Sequence, residues 1–138
     1  MNNMNNDEQL LERFGIEPEN QHRDSIRQLL QAEIKNEASE DNEYLRTLCI
    51  LLFSIGIVED TLLIWAAKRK NFDASAYIDV QLLCGAGVKE TMKYLQAQPN
   101  EEAQKQLAYL QQCEPYDLED FSKKEWMDGY KSYYGLDH

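Results

Sequence analysis

The side chains best suited to metal binding or nucleophilic catalysis are two histidines, His22 and His138, and three cysteines, Cys49, Cys84 and Cys113. A zinc site would need a C-x-x-C or a comparable cluster, and the thiols are instead far apart in sequence. A Cys–His or Ser–His pair would depend on His22, which lies in the polar stretch Asn20-Gln21-His22-Arg23 and reads as a solvated helix start. Glu59 and Asp60 are adjacent, so on a helix they diverge by about 100° and do not make a shared carboxylate site. The E-x-x-H pattern of di-iron bundles is absent. Cys84-Gly85-Ala86-Gly87-Val88 lacks the P-loop pattern and follows no strand; two glycines there serve a chain reversal. No catalytic residue, metal or cofactor is expected.

One constellation remains. Tyr116, Phe121, Trp126, Tyr130, Tyr133 and Tyr134 are interleaved with Asp117, Glu119, Asp120, Glu125 and Asp128. Trp126, Tyr130, Tyr133 and Tyr134 recur at helical spacing, so part of the set should dock on the core. The rest could form an aromatic and acidic recognition surface, since Tyr and Trp anchor interfaces and carboxylates pair with Arg or Lys. The expected partner-binding residues are Asp117, Glu119, Asp120, Trp126, Asp128, Tyr130, Tyr133 and Tyr134.

These residues must be carried by helices. Thr47–Val58 holds no charge, Thr61–Ala67 is again apolar, and Gly56 stands where a helix takes its left-handed terminal residue. The pattern predicts two antiparallel helices, Glu43–Ile55 and Ile57–Lys70, buried on all sides. Neither run reaches the roughly 20 apolar residues of a membrane span. Further helices are predicted at Asp7–Phe14, His22–Ala38, Ala74–Cys84 (capped by Asp73 or Ser75), Val88–Gln98, Asn100 to Pro115, and Ser122–Tyr134, where Ser122 and Glu125 make a capping box. Residues 1–6 are expected to be disordered. The reading is a single all-α domain of about seven helices packed as hairpins, either an irregular bundle or a short helical-repeat array.

The net charge of −11 is unevenly spread. Residues 1–43 carry eleven acids and four bases, residues 44–113 seven of each, and residues 114–138 seven acids and three bases. A neutral core between two acidic ends disfavours nucleic acid and suits a basic protein partner. The odd cysteine count, with each thiol in or at the end of an apolar pattern, points to reduced core thiols in a cytoplasmic protein.

Ile57–Tyr94, with its FDASAYIDVQLLCGAGVKETMKY core, and the closing Tyr133-Tyr134-Gly135 resemble an uncharacterised family of small bacterial helical proteins. In size, charge and class the chain is also similar to the acidic helical immunity proteins that neutralise toxins. That resemblance implies a non-catalytic protein that binds and blocks a basic toxin. The alternative is a self-associating structural or adaptor protein, and a homodimer is compatible with either.

Overall fold

Apolar helical stripes and Asx or Ser caps account for most of the architecture. The computed structural model describes residues 5–136, and among these there are eight α-helices and no strand. They are α1 (Asn6–Phe14), α2 (Arg23–Lys35), α3 (Asn42–Ile55), α4 (Thr61–Lys68), α5 (Phe72–Tyr77), α6 (Val88–Gln96), α7 (Glu101–Cys113) and α8 (Lys123–Tyr133). Short 3-10 turns at Asn20–His22, Val58–Asp60 and Val80–Cys84 connect them. Of the six residues expected to be disordered, 1–4 lie outside the described residues, while Asn5 stands at the N-cap position of α1 without a side-chain capping bond and Asn6 begins the helix.

Helix α3 is the axis. Leu45, Thr47 and the whole run Leu48–Phe53 are buried, and α1, α2 and α5 pack around it. Asp41 caps its start by accepting from the Tyr44 N–H at 3.0 Å, and Gly56 ends it in the left-handed region. No described helix is long and apolar enough to cross a membrane.

Three expectations need correcting. The predicted Ile57–Lys70 helix begins only at Thr61, because Val58–Asp60 first makes a 3-10 turn that buries Asp60. There the carboxylate receives Arg23 through Nε at 2.8 Å and Nη2 at 3.0 Å, together with Arg27. The predicted Ala74–Cys84 helix is two pieces, and its cap is Asn71 rather than Asp73 or Ser75. Lys68 explains the break: its buried ammonium donates to the carbonyls of Ser75, at 2.6 Å, and Ile78, which a continuous helix would have used itself. Ile78 is consequently extended, and Val80–Cys84 restarts as a 3-10 turn. Helix α2 stops at Lys35, three residues early, where the Asn36 side chain accepts from the Ala38 N–H.

A tight joint holds α3 to the segment before α6. Gly85 lies directly on the carbonyl of Phe53, and its own carbonyl accepts from the Lys123 ammonium at 2.9 Å. Burial pushes the Lys123 pKa down. Cys49 and Cys84 are buried free thiols, and burial raises Cys84 to about 12 and Cys49 further.

Candidate functional site

The most concentrated polar chemistry stands where the first turn of α3 meets α5 and α8. Glu43 is its hub. The hydroxyls of Tyr77, Tyr133 (3.1 Å) and Tyr134 (3.2 Å) all donate to this one carboxylate. Tyr134 is also 2.6 Å from the Thr47 hydroxyl, and Tyr130 donates to Asp79 at 2.7 Å. Burial raises the pKa of Tyr130, Tyr77 and Tyr134, and the carboxylates facing them raise it further.

Arg46 lies one turn on, with its guanidinium over the rings of Tyr77 (4.0 Å), Tyr133 (4.9 Å) and Tyr130 (5.9 Å). Its side chain is only 11% exposed. Its nearest carboxylate oxygen, on Glu43, is 3.6 Å away. Burial works against its charge, but Tyr77 and Glu43 outweigh that and its pKa stands above the usual value.

Two concavities flank this cluster and share Tyr133. The larger is an open groove of about 820 Å³ floored by Asp7, Glu8, Asp41 and Glu43, with Tyr133 and Tyr134 on one side. Among the described residues lining it none is cationic. Asp7 is buried there, and burial, then the charges of Glu43, Asp41 and Glu8, hold its pKa above the carboxylate norm against its backbone hydrogen bond. The smaller is a slot of about 350 Å³ lined by Arg46, Glu125, Trp126, Gly129, Tyr130 and Tyr133. Among the described residues no group of three His, Cys, Asp or Glu side chains is placed to hold a metal ion.

The predicted partner-binding residues fall into four places. Asp117, Glu119 and Asp120 are exposed on the turn between α7 and α8, beside Tyr116, which is 79% exposed. Asp120 adopts a positive φ of 57°, which Asp tolerates. Asp128 is exposed and paired with Lys124 at 2.8 Å. Tyr130 is buried, with its hydroxyl committed to Asp79, so it is a wall and not a free anchor. Trp126 is half-buried against it, ring centroids 5.9 Å apart. Only Tyr133, 59% exposed, and Tyr134 reach the groove.

Sequence reasoning missed Arg46 and the acids Asp7, Glu8, Asp41 and Glu43 as site residues. The available signal was Glu43 and Arg46 at i,i+3 opening an otherwise apolar helix.

No family model matches the chain, and no curated protein or solved structure is significantly similar to it.

Gly129 is an exposed position inside α8, and a Cβ there would meet nothing within 4 Å. Gly129→Ala should stabilise the protein by about 0.5–1 kcal/mol, because the glycine costs helix propensity without filling a structural need. Chemical denaturation would show this as a higher midpoint with an unchanged slope.

Proposed function

We propose that the chain is a non-catalytic protein-binding module of the immunity type, which occludes a basic toxin by taking its cationic side chains into the acidic groove. The observation that carries this reading is the meeting of acids from the N-terminal third with tyrosines at the end of the last helix. Asp7, Glu8, Asp41 and Glu43 from the first acidic third line one wall, and Tyr133 and Tyr134 from the last helix line the other. Burial, and after it the charges of Glu43, Asp41 and Glu8, raise the Asp7 pKa, and a partner's Lys or Arg would relieve that repulsion. Tyrosine rims supply the contact area that such an interface needs.

Asp7→Asn with Glu8→Gln should slow association with the basic partner by roughly tenfold at low salt, and the difference should vanish at high salt. The same change should raise stability at neutral pH. Asp7 favours its protonated form in the native state, so its contribution is present below the unfolded carboxyl pKa and lost as pH rises through the raised native value. Neutralising Asp117, Glu119 and Asp120 to Asn, Gln and Asn is the control for the second acidic patch, and Asn suits the positive φ at position 120.

The test uses the tagged protein as bait in its own cells, with low- and high-salt washes, followed by binding kinetics on the recovered partner. A basic partner released by salt and slowed by the Asp7/Glu8 variant supports the groove. A partner slowed only by the control variant moves the interface to the α7–α8 turn. Recovery of the chain alone shifts the reading to a self-associating adaptor.

A further inference from the structure

The slot beside the groove is lined by a guanidinium, Arg46, that rests on tyrosine rings and meets a carboxylate only at 3.6 Å. Arg46 comes no nearer than 3.6 Å to a carboxylate oxygen, that of Glu43, and its Nε is sealed from solvent without an acceptor, so its terminal nitrogens are what is left for a ligand in the slot. Glu43 holds the guanidinium as an ion pair only, since its nearer oxygen, which accepts from Tyr134, stands 3.6 Å away and the other accepts from Tyr77 and Tyr133. A guanidinium is built to grip a carboxylate with two parallel hydrogen bonds, which neither the rings nor Glu43 supplies here. The walls above it are aromatic: Trp126, Tyr130 and Tyr133. Gly129 is on the lining too, with open space where a Cβ would stand. An apolar-walled concavity of a few hundred Å³ with one convergent polar group is the usual form of a small-molecule site.

We infer that the slot binds a small monocarboxylate with an aromatic or apolar body, its carboxylate on Arg46 and its body between Trp126, Tyr130 and Tyr133. Glu125 sets the charge limit. It stands on the slot lining with an exposed carboxylate, so a second negative charge on the ligand would meet repulsion. That disfavours dicarboxylates and phosphates. The inference does not depend on the acidic groove, whose ligand is cationic.

The experiment titrates 3-phenylpropionate into the full chain and follows the Trp126 indole N–H by NMR, with 3-phenylpropylamine and phenylphosphonate as controls. The expected result is a saturable shift with the monocarboxylate, at least tenfold weaker with either control. Arg46→Met should abolish it and Arg46→Lys should restore part of it. Gly129→Leu fills the slot without touching Arg46 and should also abolish it, which keeps the test valid if the Arg46 variants do not fold. No shift with 3-phenylpropionate, equal binding of the amine, or a shift that survives Gly129→Leu would each overturn the inference.

Discussion

Gly85→Ala should destabilise the protein by about 3 kcal/mol. An added Cβ would lie 2.6 Å from the Phe53 carbonyl oxygen and 3.1 Å from its Cα. Real Cβ atoms do not approach so closely, and the opposing atoms are backbone in the middle of the core rather than the yielding tip of a side chain. Either α3 or the Gly85 turn must move, and overpacking of this kind costs about 1–3 kcal/mol, occasionally more. Movement there also disturbs the Lys123 hydrogen bond to the Gly85 carbonyl, which fastens the start of α8. Gly85 itself has helical φ and ψ, so the effect is steric and owes nothing to glycine's conformational range. Urea denaturation measures it. A loss under 0.5 kcal/mol would mean that the two segments are not in contact as described.

Asp60→Ala should cost about 3–5 kcal/mol, the range for removing one partner from a buried ion pair. Asp60 is 1% exposed and receives two guanidinium groups, while Arg23 and Arg27 remain a quarter or more open to water. That partial exposure lets the orphaned arginines rehydrate and places the expectation at the lower end. The ion triad joins α2 to the turn before α4, so its loss loosens both. Replacing Arg23 or Arg27 singly should cost less than Asp60→Ala, because the other arginine still neutralises the carboxylate. If Asp60→Ala were neutral, the triad would be a solvated arrangement with no structural weight.

The fold was legible where a local rule acts alone. Of Asp41 and Asn42, the two candidate caps of the central helix, Asp41 serves; Asn100 and Ser122 cap the helices predicted there, and Gly56 ends α3 as its position requires. It was illegible where a distant side chain intervenes. Nothing near Ala74–Cys84 announces that Lys68 will take the Ser75 and Ile78 carbonyls and split the helix. The site follows the same division. Tyr133 and Tyr134 could be picked out by helical spacing, but their partners Glu43 and Thr47 lie 87 to 91 positions away. Charge counting found an acidic N-terminal third without indicating that four of its carboxylates meet the last helix. Asp128, chosen with the same aromatics, is spent on Lys124, its neighbour one turn earlier.

Helix α8 has a consequence for dynamics. It is fastened to the body largely through side chains: Lys123 on Gly85, Tyr130 on Asp79, Tyr134 on Thr47 and Lys131 on Glu17. Such a helix can detach as a unit well below the free energy of global unfolding. Its amide protons should therefore exchange with deuterium before those of α3. Because α8 supplies a wall to both concavities, one opening event dismantles them together. Any ligand of either one should slow exchange throughout α8.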